Sequence, residues 1–389
     1  MIGILIRRST TKAIGRFDFH MNSWIANRTL AFDSSGIRKV FDLAANMKEP
    51  VNLSIGQPDY DVPDAVKIAC TKAIHEGKNG YALTQGMPQL REKLQQTIDD
   101  QYQHADRKLF VSSGTSGGLV LTMLSLVDPG DEVIIFDPYF VMYQPLVELV
   151  GGTPVVINTY PDFRIDLNKV EDSITDKTKL VIFNSPANPT GVVATDEEID
   201  GLAQICQRHN VALVSDEIYS KFCYDNTFRS PAETNPQTIV IDGFSKSHGM
   251  TGWRVGYVHG PAEVIDTMVK LQQYSFVCAP QPMQWAAAEA MSFDVSDLMI
   301  DYREKRDRLL NGISDCYEIA HPGGAFYIYP KAPNGSGAAF VEKAIENNLL
   351  VIPGNIFSSQ DSHFRISYAA TNETIDKGIE ILRRLAKSF

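Results

Sequence analysis

The stretch Thr238-Ile239-Val240-Ile241-Asp242-Gly243-Phe244-Ser245-Lys246 decides the fold of this chain, because it joins a strand-like run to a lysine. Residues 238–241 are rich in β-branched side chains and nearly continuous in hydrophobicity, which is typical of a strand buried on both faces of a sheet. Open α/β sheets bind their ligands at the carboxyl ends of the strands. The stretch therefore predicts a buried strand followed by a lysine at the ligand-binding edge.

The same strand pattern recurs upstream and downstream of this stretch. Apolar runs alternate with helical patterns, and they cover residues 133–136, 154–157, 180–183, 212–215, 238–241 and 255–258. Between two of these runs, residues 196–209 show the periodicity of an amphipathic helix, and Thr195 with Glu198 predicts a capping box at its start. Strands that alternate with helices predict a mostly parallel α/β sheet.

The pattern changes after about residue 290. It predicts a long charged helix over 295–313, a strand over 325–329, a helix near 338–347, short strands at 350–352 and 364–367, and a final helix that begins after them. This order predicts a smaller α+β domain. We therefore divide the chain into an N-terminal arm with a small-domain segment (1–50), a large domain (51–290) and a small C-terminal domain (291–389).

Composition excludes several classes of protein. The 389 residues carry a formal net charge of -11, which argues against a general nucleic-acid or anionic-membrane surface but allows a local basic pocket. No apolar run approaches the ~18 residues that a transmembrane helix needs. The five cysteines form no CxxC pair and their number is odd, which favours a reducing cytoplasmic location. No metal site is predicted.

The first residues of the chain are unusual. Residues 1–17 contain no acidic side chain and include Arg7, Arg8, Lys12 and Arg16. An organelle-targeting segment is one interpretation, although the apolar and basic parts stand in the wrong order for a secretory signal. We favour either a loosely ordered arm or a true start at Met21.

A run of small residues, Ser112-Ser113-Gly114-Thr115-Ser116-Gly117-Gly118, separates strand-like residues 109–111 from a helical run over 119–127. Small residues let the backbone approach an anion, and a helix start offers free N–H groups and the positive end of the helix dipole. The run predicts a phosphate cradle; the alternative is a flexible turn before a buried helix. It matches neither a Walker loop nor a dinucleotide fingerprint, which disfavours a plain dinucleotide-binding protein.

Two polar side chains follow other predicted strands. Asp216 comes after residues 212–215, and Asn188 comes soon after residues 180–183. A carboxylate at this edge needs a partner, and a protonated ring nitrogen or a surface salt bridge would serve. For Asn188 the alternative is an ordinary Asn-Pro turn.

Two arginines are candidate anion ligands. Arg254 lies eight residues after Lys246, and its guanidinium could hold a phosphate in a two-pronged pair. Arg365 sits in the apolar run Phe364-Arg365-Ile366-Ser367-Tyr368. A buried arginine requires a carboxylate, which a substrate or a structural salt bridge could supply.

Taken together, these residues resemble the class I/II aminotransferases of pyridoxal 5′-phosphate (PLP) fold type I. The resemblance runs from about Phe32 to the C-terminus and includes the segments Asn188-Pro189-Thr190-Gly191, Asp216-Glu217-Ile218-Tyr219 and Gly252-Trp253-Arg254-Val255-Gly256, with further matches at 52–59, 81–86, 128–133 and 137–140. It implies a large domain with a mostly parallel seven-stranded sheet. It also implies PLP as cofactor, amino acids and 2-oxo acids as substrates, and a homodimer with shared active sites.

The resemblance implies roles around the cofactor ring. Lys246 would form the covalent link to PLP and later carry the substrate proton. Asp216 would pair with the ring nitrogen, while Asn188 and Tyr219 would hydrogen-bond the ring hydroxyl. Phe140 would stack on the ring.

The resemblance also implies a phosphate site. Arg254 and Ser245 would contribute to it, and Tyr81 would reach the phosphate bound by the neighbouring subunit. Gly243 stands where some relatives carry a phosphate-binding serine, so Ser245 or a water would take the place of that serine. The backbone N–H groups of the cradle would come from Gly114, Thr115 and Ser116.

For the substrate, the resemblance implies that Arg365 binds the α-carboxylate, helped by Gly56 and Asn188. Ser116 stands where some aspartate-specific relatives carry a lysine, so neutral or aromatic donors are expected, with 2-oxoglutarate as acceptor and ping-pong kinetics. The alternatives are an aspartate aminotransferase, a PLP-dependent C–S β-lyase and a non-catalytic PLP-binding regulator. The regulator is disfavoured because such proteins usually carry an N-terminal DNA-binding domain, and few residues precede the match.

Overall fold

The computed structural model of the protein describes residues 24–30, 32, 36, 47–102, 104 and 106–388. The basic stretch 1–17 and Met21 lie outside the described residues. The helices are α1 (Asp64–His75), α2 (Pro88–Tyr102), α3 (Gly114–Leu126), α4 (Tyr143–Leu149), α5 (Leu167–Asp172), α6 (Asp196–Arg208), α7 (Ala262–Ser275), α8 (Gln281–Ala290), α9 (Ser296–Ile313), α10 (Gly337–Glu346) and α11 (Asn372–Ala386). The strands are β1 (Val51–Asn52), β2 (Arg107–Ser112), β3 (Glu132–Asp137), β4 (Thr153–Asn158), β5 (Thr178–Asn184), β6 (Ala212–Asp216), β7 (Ile239–Gly243), β8 (Gly256–Pro261), β9 (Tyr327–Ile328), β10 (Leu349–Leu350), β11 (Ile352–Pro353) and β12 (Phe364–Ser367).

Seven strands form one sheet in the order β2-β8-β7-β6-β5-β3-β4. The pairs from β7 to β4 are parallel, whereas β8 is antiparallel to both of its neighbours. Strand β8 therefore runs opposite to the other six. The mostly parallel seven-stranded sheet expected from the sequence is confirmed.

Both faces of this sheet are buried. Along β3, Val133 and Ile135 belong to one apolar cluster and Ile134 belongs to another. The first cluster includes Leu119 from α3, and the second includes Leu202 from α6. Because neighbouring residues of a strand point to opposite faces, helices cover the sheet on both sides. This arrangement explains why the strands are nearly continuous in hydrophobicity.

Helix α6 begins as its sequence predicts. The hydroxyl of Thr195 accepts a hydrogen bond from the backbone N–H of Glu198 at 3.2 Å. The Glu198 carboxylate in turn accepts one from the backbone N–H of Thr195 at 2.7 Å. These reciprocal bonds satisfy two N–H groups that a helix start leaves free. The predicted capping box is confirmed.

The C-terminal part of the chain builds a second, smaller sheet. Strands β11, β12 and β9 are antiparallel neighbours, and their core includes the aromatic rings of Phe326, Phe340 and Phe364. Strand β1 pairs in parallel with β10, with Val51 opposite Leu349. The segment that precedes α1 therefore lies beside the C-terminal elements. The division of the chain at residues 50 and 290 stays a prediction.

Two predicted strands of this part are shorter than expected. The run 325–329 contributes only Tyr327–Ile328, because Ala325 adopts a left-handed backbone with φ 54°, which no strand continues. The run 350–352 divides between β10 and β11, which pair with different strands. Among the helices that the structure describes, none combines the length and the apolar character needed to cross a bilayer.

Candidate active site

A cavity of about 270 Å³ opens where β5, β6 and β7 end. Asn184 and Asp216 are the last residues of β5 and β6, and Lys246 follows β7 by three residues. Arg365 reaches the cavity from β12 of the small sheet. The site is thus formed between the carboxyl edge of the large sheet and the small sheet, as open α/β folds favour.

Lys246 is held at both ends. Its amine donates a hydrogen bond to the backbone oxygen of Gly56 at 2.6 Å, and its own backbone oxygen accepts one from the hydroxyl of Tyr60 at 2.6 Å. Burial lowers the pKa of Lys246 to about 8, and the positive charges of Arg365 and Arg254 act in the same direction. A neutral amine, the form that attacks a carbonyl, is therefore accessible near neutral pH.

Asp216 is a buried carboxylate, only 4% exposed. Its Oδ2 accepts a hydrogen bond from the hydroxyl of Tyr143 at 2.8 Å, and its Oδ1 accepts one from the N–H of Ile218 at 3.4 Å. Burial raises the pKa of Asp216 to about 6, although these two donors and the charge of Lys246 oppose the rise. The group is mostly ionised at neutral pH and can hold a cation.

Arg365 is a buried guanidinium, only 1% exposed, for which no carboxylate partner is found among the described residues. It donates to the side-chain oxygen of Asn188 at 2.9 Å and to the backbone oxygen of Ser54 at 3.1 Å, and its Nε has no partner there. Its central carbon lies 4.4 Å from the ring centre of Tyr327 and 4.6 Å from that of Phe357. A charge fixed in this way is suited to an anionic ligand.

The start of α3 and Arg254 form a second positive corner. Gly114 has φ 68°, and a Cβ at that position would lie 2.5 Å from a guanidinium nitrogen of Arg254. Arg254 itself has φ 55°, which is uncommon for a residue with a side chain, and it donates to the backbone oxygen of Thr251 at 2.8 Å. The helix start adds the positive end of its dipole. This corner fits a phosphate.

Aromatic and polar side chains line the walls between these charges. The ring of Phe140 meets that of Tyr143 edge to face, with centres 5.6 Å apart. The hydroxyl of Tyr219 lies 2.9 Å from that of Tyr327, and burial raises the pKa of Tyr219. The side-chain oxygen of Asn188 accepts a hydrogen bond from Arg365, so its amide NH₂ group remains available as a donor.

The structure brings most of the predicted site residues to this one cavity. Those that line it are Gly56, Thr115, Ser116, Phe140, Asn188, Asp216, Tyr219, Ser245, Lys246, Arg254 and Arg365. Gly114 lies against the guanidinium of Arg254, although it does not line the cavity. Tyr81 is 86% exposed and lies outside it.

The sequence alone did not indicate three further contributors. Tyr143 bonds Asp216, Tyr327 packs on Arg365, and the backbone of Ser54 accepts from Arg365. Tyr143 and Tyr327 stand in apolar stretches where a tyrosine usually belongs to the core. Ser54 falls within the segment 52–59 that carries the resemblance. Its contact with Arg365 uses the backbone oxygen, which every residue type has, so the sequence could not indicate it.

A family model described as aminotransferase class I and II matches residues 48–382. The chain belongs to this family. It is an enzyme of the amino acid aminotransferase type, and its fold is that of the PLP fold type I aminotransferases.

Among similar proteins, a probable aspartate aminotransferase of Methanocaldococcus jannaschii is 39% identical over 374 residues, which cover 93% of this chain and 99% of that protein. The structure of Thermus thermophilus aspartate aminotransferase with maleate has a TM-score of 0.88 at 33% identity, with 93% and 99% of the chains covered. A Methanococcus jannaschii structure, described as similar in its active site to kynurenine aminotransferases, has a TM-score of 0.86 at 31% identity, with 93% and 100% covered.

The residues of this cavity fit PLP. The cofactor needs an amine for its aldehyde, an anion for its ring nitrogen and a cationic cradle for its phosphate. Lys246 and Asp216 supply the first two from one cavity. The cradle is shaped so tightly around Gly114 and Arg254 that a single Cβ would fill it.

Proposed function

We propose that this aminotransferase uses PLP to move the amino group of a neutral or aromatic L-amino acid to a 2-oxo acid such as 2-oxoglutarate. The observation that carries the proposal is the buried guanidinium of Arg365, which has no carboxylate partner among the described residues and shares a cavity with Lys246 and Asp216. A substrate carboxylate at Arg365 would lie beside both groups. Donor and acceptor would use the site in turn, which gives ping-pong kinetics.

In this proposal Lys246 holds the cofactor covalently and Asp216 holds its ring nitrogen. Phe140 stacks on the ring, while Asn188 and Tyr219 bind its hydroxyl. The phosphate is held by Ser245, Arg254 and the N–H groups of Gly114, Thr115 and Ser116. When bound, PLP supplies a ring that accepts the electrons left behind when the substrate loses its α-proton.

Lys246 then acts as the proton carrier. Its Nζ, which would be free once the substrate is bound, would take the proton from the substrate α-carbon as a general base and then give it up as a general acid. The lowered pKa of about 8 keeps a useful fraction of this amine neutral near neutral pH. The bond to Gly56 holds it inside the cavity while it is free.

Donor preference follows from the charges of the cavity. Among the described lining residues the cations are Lys246, Arg254 and Arg365, and the proposal assigns all three to the cofactor or the α-carboxylate. Ser116 offers a hydroxyl at the helix start. A side-chain carboxylate would therefore be desolvated without a partner, at a cost of several kcal/mol. A neutral or aromatic side chain avoids this cost.

Aspartate is the second candidate donor. The Methanocaldococcus jannaschii relative is named a probable aspartate aminotransferase, and it covers nearly the whole chain.

We also propose a symmetric homodimer, since Tyr81 and Tyr274 are 86% and 84% exposed and a second copy would cover them. A cytoplasmic location is proposed as well, supported by five cysteines that are all free thiols.

The test combines cofactor capture with a substrate panel. The purified protein should be yellow, and borohydride should fix PLP to Lys246. Lys246→Ala should lose the fixed cofactor and nearly all turnover, while Lys177→Ala, at an exposed lysine, should retain both. Alanine, methionine, phenylalanine, tyrosine, glutamine and aspartate should then be compared as donors.

Different outcomes test the site assignment, the donor preference and the type of reaction separately. If Lys246→Ala keeps wild-type turnover, the site is wrong. If aspartate exceeds every other donor by more than about tenfold in kcat/KM, the donor preference is wrong and the aspartate alternative is correct. Release of pyruvate from cysteine-type substrates without any 2-oxo acid acceptor would instead indicate a C–S β-lyase.

A further inference from the structure

Tyr143 begins α4 and is only 3% exposed. Three residues upstream, Phe140 lines the cofactor cavity, and the start of the helix places Tyr143 in the same wall. The hydroxyl of Tyr143 donates to Oδ2 of Asp216 at 2.8 Å, and both groups are buried. The contact joins positions 73 residues apart, so it depends on the folded arrangement of α4 and β6.

This hydrogen bond is the stronger of the two that the Asp216 carboxylate accepts from the described residues. The other, from the N–H of Ile218 to Oδ1, is long at 3.4 Å. A buried carboxylate with few donors is costly, and a hydrogen bond to a charged group is worth more than one between neutral groups. Tyr143 occupies Oδ2, and Oδ1 carries only the long contact.

We propose that Tyr143 is a positioning residue for transamination, which keeps the Asp216 carboxylate ionised and oriented so that this carboxylate holds the proton on the ring nitrogen of PLP. The inference rests on the proposed function and deepens it. Tyr143 touches neither substrate nor the reacting atoms in this assignment. It acts through Asp216.

The charges around Asp216 explain why one hydroxyl matters. Lys246 faces it and favours its ionised form, whereas Asp242 lies near enough for the two carboxylates to repel. Burial raises the pKa of Asp216 to about 6, and the bond from Tyr143 opposes that rise. Without the hydroxyl the carboxylate becomes more basic. A more basic Asp216 takes for itself the proton that the ring nitrogen must keep.

The test is Tyr143→Phe in the holoenzyme, with Tyr139→Phe as the matched control. Tyr139 lies four residues earlier, is also buried, and donates its hydroxyl to Gln144 instead. We expect Tyr143→Phe to lower kcat by about 10- to 100-fold, the factor that corresponds to a hydrogen bond to a charged group, while KM changes little. Tyr139→Phe should leave both constants near the wild-type values.

A direct readout of the ring nitrogen separates positioning from packing. NMR of the holoenzyme loaded with PLP labelled at the ring nitrogen reports whether that atom is protonated. In wild type and Tyr139→Phe the nitrogen should stay protonated across the pH range in which the enzyme is active. In Tyr143→Phe a smaller fraction of it should be protonated across the same range, because the proton passes to Asp216. Loss of packing alone would not move this proton.

A double-mutant cycle supplies the third measurement. In an Asp216→Ala background, Tyr143→Phe should add less than about twofold to the loss, because its partner is already absent. If Tyr143→Phe does not fold, a fluorinated tyrosine at position 143, which is a stronger donor, should keep the ring nitrogen at least as protonated as in wild type and move its NMR signal further toward the protonated position.

The outcomes distinguish this inference from the proposed function. A ring nitrogen that is as fully protonated in Tyr143→Phe as in wild type, or a full additional loss in the Asp216→Ala background, overturns the role of Tyr143. If Asp216→Ala itself retains wild-type turnover, or if no PLP is fixed to Lys246, the proposed function fails first.

Discussion

The side-chain amine of Lys246 lies 2.6 Å from the backbone oxygen of Gly56 and donates a hydrogen bond to it across 190 positions of the chain. This contact ties the lysine that follows β7 to the loop that follows β1. The same loop holds the backbone oxygen of Lys246 through Tyr60. The lysine is therefore oriented by the loop in front of it, and the loop is fixed by the lysine.

Gly56→Ala should weaken substrate binding. A Cβ at this position would lie 2.7 Å from the hydroxyl of Tyr327 and 3.9 Å from a guanidinium nitrogen of Arg365, so Tyr327 must move and the packing on Arg365 with it. We expect KM for amino and 2-oxo acids to rise on the order of tenfold, with a smaller change in kcat. Gly260→Ala is the control, because its Cβ would meet no atom closer than 3.4 Å. Equal effects of the two changes would contradict the argument.

The amine of Lys246 should titrate far below an exposed lysine. Its pKa is lowered to about 8 by burial and by the charges of Arg365 and Arg254. Only the neutral amine attacks the PLP aldehyde, so the rate of colour formation in cofactor-free protein should rise through about pH 8 and then level off. Arg365→Gln removes one positive charge and should move this inflection upward. A rate that still climbs near pH ~10, as for an exposed lysine, would show that the pKa is not lowered.

The fold, and the grouping of most candidate site residues in one cavity, were predictable for physical reasons. Residues 212–215 and 238–241 are apolar on both faces, and only a strand covered on both sides tolerates that pattern. A polar side chain directly after such a strand, such as Asp216, must then lie at the ligand-binding edge. These inferences need only local sequence and a general rule of α/β folds.

The remaining features depend on contacts that local sequence does not contain. The partner of Tyr143 lies 73 residues away, so nothing near Tyr143 distinguishes it from a core tyrosine. The predicted strand at 325–329 is interrupted because Ala325 has φ 54°. Tertiary packing here overrides the backbone preference of the residue type. The exposed position of Tyr81 in one chain likewise gains meaning only beside a second copy.

Asp216→Asn should stabilise the cofactor-free protein while it impairs catalysis. Burial, as the largest cause, raises the pKa of Asp216 from 3.8 to about 6, so its ionised form is destabilising in the folded state and the penalty grows as pH rises from 3.8 through 6. About two pKa units correspond to about 3 kcal/mol in the free energy of unfolding. The gain in stability should therefore be full near pH ~8 and vanish toward pH ~4.

Chemical denaturation of the two cofactor-free proteins across this pH range measures the gain. Asp172→Asn, at an exposed carboxylate, is the control and should change the free energy of unfolding by less than about 0.5 kcal/mol. A destabilised Asp216→Asn at pH ~8 would mean that the carboxylate has a stabilising partner that outweighs its burial.

Arg365→Ala should weaken donor and acceptor equally. Both substrates carry the same carboxylate next to the reacting carbon, and the guanidinium offers it two parallel N–H groups. We expect a loss of ~3–5 kcal/mol in kcat/KM for each half-reaction, measured separately by single-turnover absorbance. Arg365→Lys keeps the positive charge but lacks the two parallel N–H groups. Its kcat/KM should fall between those of wild type and Arg365→Ala. Borohydride fixation of PLP should be unchanged in both variants, which excludes collapse of the site.

Tyr81 should complete the active site of the partner subunit. It is 86% exposed and absent from the cavity of its own chain, whereas the backbone that follows it is fixed, since Gln272 and Val111 bond to Thr84 and Gln85. A rigid segment that presents an exposed tyrosine is suited to a contact with a second copy.

Tyr81→Ala and Lys246→Ala should each be nearly inactive. When equal amounts are unfolded and refolded together, half of the dimers are hybrids, and each hybrid has one site free of both changes. Activity should return to about a quarter of the wild-type value, as random pairing requires. If Tyr81 instead served its own chain, the hybrid would hold one Tyr81→Ala site and one Lys246→Ala site, and mixing would restore nothing.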